Sequence, residues 1–129
     1  FPIKIEFVVS NKSNIKGIKI ARKFKIPYLV VNTYKNLYEN KIIEELKNRD
    51  SFLLIVTPEG RFDATRFRTS FLYIAKELDA EVMPVQIDYE NKKLNILSSF
   101  NIDGDTDDVI KRLRLQFDGI KGKNSRFKA

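Results

Sequence analysis

With 129 residues, 43% of them hydrophobic, and neither Cys nor His, the chain can bury a core without disulfides. It excludes thiolate chemistry, zinc held by cysteine or histidine, and any mechanism that needs an imidazole base. Its 24 Lys and Arg outnumber 17 Asp and Glu, and the resulting net charge of +7 favours anionic partners: phosphorylated small molecules, lipid headgroups or nucleic acid.

The elements follow one another in a regular rhythm. Ile3 to Val9 reads as a strand, and the polar loop Ser10 to Asn14 after it offers several helix caps. Gly17, Ile20, Ala21 and Phe24 recur at helical spacing, which predicts a helix buried along that stripe, with Lys16, Lys19, Arg22 and Lys23 largely outside it. The small Gly17 and Ala21 predict close approach to a sheet. Ile26-Pro27 ends the helix, and Tyr28 to Val31 reads as a short buried strand. A second helix is expected to run to about Arg49 with Tyr38, Ile42, Ile43 and Leu46 on one face, followed by Phe52 to Val56, a continuous apolar run typical of a parallel strand covered on both sides.

Beyond the Pro58-Glu59-Gly60 turn lies a basic linker, Arg61 to Arg68, and then a helix from Thr69 to Asp79 carrying Phe71, Ile74, Ala75 and Leu78 on its apolar face. Val82 to Ile87 is the next strand, with Pro84 placed at a bulge or sheet edge because it cannot donate to a ladder. Tyr89 to Lys93 reads as a hairpin turn leading into Leu94, Ile96 and Leu97. The Asp103-Gly104-Asp105-Thr106 loop supplies a cap for the last helix, whose expected stripe is Ile110, Leu113 and Phe117 and whose stop is Gly119. This alternation predicts a single α/β domain over residues 1–129, three-layered, with a mainly parallel sheet and one antiparallel hairpin. No apolar run approaches the roughly 18 to 20 residues of a membrane-spanning helix, and no signal peptide is evident. The expected placement is cytoplasmic, with peripheral membrane contact left open.

Chemistry concentrates after the third predicted strand. Pro58-Glu59-Gly60-Arg61 places a carboxylate and a guanidinium where open α/β sheets hold ligands. Arg66 and Arg68 add further forked donors suited to phosphate. Asp103, Asp105, Asp107 and Asp108 lack the spacing of a calcium loop, so no metal and no cofactor is expected. Ser10, Ser51 and Ser70 have no histidine partner. Arginines interleaved with Phe62 and Phe67 leave single-stranded nucleic acid as a less favoured partner.

From Ser51 to about Phe127 these stretches resemble the glycerolipid acyltransferases of the 1-acylglycerol-3-phosphate type, which move an acyl group from a carrier to glycerol phosphate or lysophosphatidate. The resemblance rests on Pro58-Glu59-Gly60-Arg61, Phe67-Arg68-Thr69-Ser70-Phe71, Tyr73-Ile74-Ala75, Met83-Pro84-Val85, Ile87-Asp88-Tyr89 and the Gly119 to Lys123 run. It implies that Glu59, Gly60 and Arg61 lie on the phosphate side of the acceptor site, with an acyl carrier as a further partner; because a carboxylate facing a phosphate directly would repel it, Glu59 is expected to hold Arg61 or a backbone group. The family's Thr after P-E-G is missing, and Ser70 stands where the family has Gly. Its catalytic base, a His in an H-x-x-x-x-D motif, has no counterpart, so the expectation is an inactive or incomplete domain with no catalytic residue. The first third, 1–49, resembles the glycinamide ribonucleotide formyltransferases instead, through Val8-Val9-Ser10-Asn11-Lys12, Gly17, Ala21 and Ile26-Pro27. That resemblance implies a nucleotide-binding α/β segment. A basic, non-enzymatic module for anionic lipid or nucleic acid is the remaining alternative.

Overall fold

The computed structural model describes residues 4–33, 38–57 and 68–122. The chain mixes helices with a parallel and an antiparallel strand pair, and it divides into two compact units, Phe1–Asn48 and Arg49–Ala129. No helix among the described residues is long and apolar enough to cross a membrane.

The N-terminal unit is built on a strand-helix-strand motif. Strand β1 (Val8–Ser10) pairs in parallel with β2 (Tyr28–Val30), and the ladder is extended by Val8 N donating to Pro27 O and Val31 N donating to Ser10 O. Between them α1 (Lys16–Lys23) buries Ile18 and Ala21. Helix α2 (Glu39–Lys47) buries Ile42 and Leu46 as its spacing predicts.

Three expectations for this unit are corrected. The stripe of α1 lies on Ile18 and Ala21, whereas Ile20, Phe24 and Gly17 face solvent. Ser10 to Asn14 provides no cap either: the N-cap position falls on Ile15, which makes no side-chain capping bond. Strand β2 is more exposed than its apolar residues suggest, Tyr28 and Val30 both facing outward. The C-terminus of α1 is closed by Lys25 in the left-handed region at φ 55, with Ile26 N donating to Ala21 O and Lys25 N to Arg22 O, the pattern of a Schellman motif.

The exposure of Gly17 has a measurable consequence. A Cβ there would meet nothing nearer than the Ile15 Cδ1 at 3.9 Å, an ordinary contact, and glycine within a helix costs conformational entropy. Gly17→Ala is therefore expected to stabilise the N-terminal unit by about 0.5–1 kcal/mol, read from thermal or urea unfolding. Close packing of this position against a sheet would give a loss instead.

In the C-terminal unit, α3 (Ser70–Glu77) and α4 (Thr106–Gln116) share a core of Leu72, Val109 and Leu113, with Phe71, Phe100, Ile102 and Ile110 packed around it. Val109, absent from the stripe read in sequence, is the deeper residue, and Ile110 and Phe117 are only half-buried. Asp105 caps α4 by accepting from Asp107 N, and Asp107 and Asp108 occupy the first turn, where negative charge meets the positive end of the helix dipole. Strands β3 (Val85–Asp88) and β4 (Lys93–Ile96) form an antiparallel hairpin. The buried Pro84 sits just before it, between the Val82–Phe100 bridge and β3, so its missing N–H interrupts no ladder.

Phe52 to Val56 forms no strand. None of the described strands pairs with it, and Ile55 is 83% exposed. An apolar run meets only half the requirement for a strand, because the backbone also needs a neighbour to complete its ladder.

Candidate functional site

Among the described residues, polar chemistry gathers in two places, one in each unit. In the N-terminal unit the carboxyl ends of β1 and β2 open into a depression of about 520 Å³. One wall is the loop Asn11, Lys12, Ser13 and Asn14, the other is Asn32 and Thr33, and Val30 and Val31 complete the lining. The fold of the loop follows from Ser10, which is buried at the strand end. Its hydroxyl donates to Lys12 O at 2.9 Å and accepts from Lys12 N at 3.1 Å, reversing the chain immediately after the ladder ends. The lining offers amide and hydroxyl groups that both donate and accept, together with the Lys12 cation, a set suited to a polar or anionic small molecule.

In the C-terminal unit the polar side chains lie inward on the hairpin. Gln86 and Asp88 are buried while Val85 and Ile87, their neighbours on β3, are exposed. Gln86 Nε2 donates to the carbonyl of Gln116, the last residue of α4, and Gln86 Oε1 accepts from Asn95 Nδ2 at 3.1 Å. Asp88 holds the hairpin turn by accepting from Asn91 N at 3.1 Å and from Asn91 Nδ2 at 2.7 Å. The side-chain bond from Asn91, followed by its backbone bond, holds the Asp88 carboxyl below the usual aspartate value. After α4 the chain returns to the hairpin: Tyr89 N donates to Lys121 O at 2.9 Å, and Lys121 Nζ donates to Glu90 at 2.8 Å. That bond to Glu90 raises the Lys121 ammonium above its ordinary value.

Of the residues predicted from sequence to hold phosphate, Glu59, Gly60, Arg61 and Arg66 lie outside the described residues. Arg68 is described and exposed, two residues before α3. The described residues therefore bring no two members of that set together. Among them no group of three or more acidic residues could hold a metal ion. The strand-end depression was missed in the sequence reading, although its signal was present: Asn-rich loops directly after two apolar stretches joined by one helix, at the end of a parallel pair where α/β folds hold ligands. No family model matches the chain, and neither does any curated protein or solved structure.

Proposed function

We propose that residues 51–127 are a glycerolipid-acyltransferase-like domain that binds the phosphate of a phosphorylated glycerol or lysophospholipid. In this reading Arg61 is the main contact, Arg66 and Arg68 assist, and Glu59 and Gly60 lie on the phosphate side, Glu59 holding Arg61 or a backbone group. The full chain is read as an α/β protein of the cytoplasm. The observation that carries the reading is the meeting of the Ile87-Asp88-Tyr89 hairpin with the Gly119 to Lys121 return. Both stretches belong to the resemblance, and the Lys121–Glu90 bond spans 31 residues of sequence. The division of the chain between Asn48 and Arg49, beside the point where one resemblance gives way to the other, adds support.

With no histidine in its 129 residues, the chain lacks the base that would take the proton from the acceptor hydroxyl. Acyl transfer from a thioester to glycerol 3-phosphate is expected to be undetectable, and ready turnover would overturn this account of the chemistry. Binding is the positive test. Arg61→Ala is expected to weaken glycerol 3-phosphate binding by roughly tenfold or more in calorimetric titration, as loss of a charge-assisted contact does. Arg112→Ala, an exposed change on α4 with the same loss of charge, is expected to leave binding within about twofold. Equal losses would reduce the site to diffuse electrostatics.

The depression over β1 and β2 favours a second reading, a formyltransferase-like nucleotide-binding segment in the N-terminal unit. A nucleoside monophosphate would then perturb the amide resonances of Asn11 to Asn14 and Asn32, whereas the first reading places the response around Arg68 and α3.

A further inference from the structure

The positive charge of the chain is concentrated in one unit. Residues 1–48 hold ten Lys and Arg against four acidic residues, whereas residues 49–129 hold fourteen against thirteen, and before α2 the one acidic residue is Glu6. Glu6 is already engaged, with Lys4 Nζ at 2.8 Å. The unbalanced charge thus lies on and around α1, and the burial of Ile18 and Ala21 fixes which side of that helix looks outward. Lys16, Lys19, Ile20 and Lys23 follow one another at i, i+3, i+4 and i+7, with Phe24 next at i+8, and all five are exposed. Ile20 is 46% and Phe24 66% exposed, and Lys23 Nζ lies 5.8 Å from the centre of the Phe24 ring.

We propose that this outward face of α1 docks on the anionic surface of a phospholipid bilayer. Lysine ammonium groups are attracted to a layer of negative headgroups without needing any one geometry. The apolar side chains between them can enter the boundary between headgroups and acyl chains, as in helices that lie on a membrane. The details of the face distinguish a bilayer from nucleic acid. The one arginine of α1, Arg22, is turned aside, its Nε donating to the Tyr28 hydroxyl at 3.1 Å and its guanidinium lying 5.3 Å from the centre of that ring. That bond uses Nε alone and Arg22 stays exposed, so the apolar side chains of the face, more than Arg22, separate a bilayer from nucleic acid. An aliphatic Ile20 amid the lysines has no base or phosphate to recognise, but it gains from leaving water at a lipid interface. This docking does not depend on the glycerol phosphate reading, which concerns other residues and is tested separately by the Arg61 titration.

Co-sedimentation of the intact chain with phosphatidylcholine vesicles, with and without phosphatidylserine, tests the proposal. Binding is expected only when phosphatidylserine is present and is expected to fall as salt rises. Lys16→Gln with Lys19→Gln should lower the partition coefficient by roughly 30-fold, given the usual contribution of each basic residue near an anionic surface. Ile20→Ser with Phe24→Ser should lower it by about tenfold or more. The same loss of two charges elsewhere, Lys111→Gln with Arg112→Gln on α4, should leave it within about twofold. All these positions are exposed, and far-ultraviolet circular dichroism establishes that each variant is folded before it is scored. The proposal is overturned by binding that ignores phosphatidylserine, by equal losses in the α1 and α4 variants, by a Ser variant that binds like wild type, or by retention of single-stranded RNA without any vesicle binding.

Discussion

Leu72→Ala is expected to destabilise the C-terminal unit by about 2–5 kcal/mol, the range for removing a buried leucine side chain and leaving part of the space empty. Leu72 is 2% exposed and lies at the centre of the contact between α3 and α4, touching the cluster that includes Val109 and Leu113. A loss of that size is a large fraction of the roughly 5–15 kcal/mol that keeps a typical domain folded. It should appear as an early transition in urea unfolding followed by circular dichroism. Leu115→Ala supplies the comparison, since the same atoms are deleted from α4 at a position 73% exposed, and its effect should stay within about 0.5 kcal/mol. Similar losses in the two variants would contradict the placement of the core.

Elements defined by local chemistry were legible in the sequence. The Asp105 cap and the Asp107-Asp108 first turn of α4 follow from side chains acting on backbone groups two or three residues away, and the hairpin from Tyr89 to Lys93 is equally local. The mixed α and β character followed from the same alternation. What failed was the choice between faces. Helix α1 carries two apolar pairs, Ile18 with Ala21 and Ile20 with Phe24, each at helical spacing, and periodicity alone does not rank them. The partner that covers the first pair decides the matter, and that partner is tertiary. The run from Phe52 to Val56 was misread for a related reason, because its composition specifies burial and says nothing of which strand completes its ladder. The candidate sites divide in the same way. The arginine cluster from Arg61 to Arg68 stood out because charge is visible residue by residue, whereas the depression of Asn11 to Asn14 and Asn32 exists only once β1 and β2 lie side by side.

The hairpin reverses the usual rule for strands, and its variants should show the reversal. Val85, Ile87, Leu94 and Ile96 share one face through the pairings Val85–Ile96 and Ile87–Leu94, and all four are exposed. Gln86 and Asp88 occupy the opposite face of β3 and are buried. Replacing the polar residue should therefore be the costly change. Gln86→Ala removes the donor to the Gln116 carbonyl, one of the orphan acceptors at the end of α4, and also the acceptor for Asn95. The expected loss is about 0.5–1.5 kcal/mol for each hydrogen bond removed, since the groups left behind belong to the exposed Gln116 and the half-buried Asn95. Ile87→Thr, on the outer face, should change stability by no more than about 0.5 kcal/mol. Asp88 adds a dependence on pH. Because Asn91 lowers its folded pKa below the ordinary 3.8, the charged carboxylate favours the folded state above that value, and its contribution fades as pH falls through the lower folded pKa. Wild type should then exceed Asp88→Asn in stability near neutral pH, and the gap should narrow in acid below pH 3.8. A gap constant across that range would mean that Asp88 acts through shape alone, and a greater cost for Ile87→Thr than for Gln86→Ala would turn the hairpin the other way round.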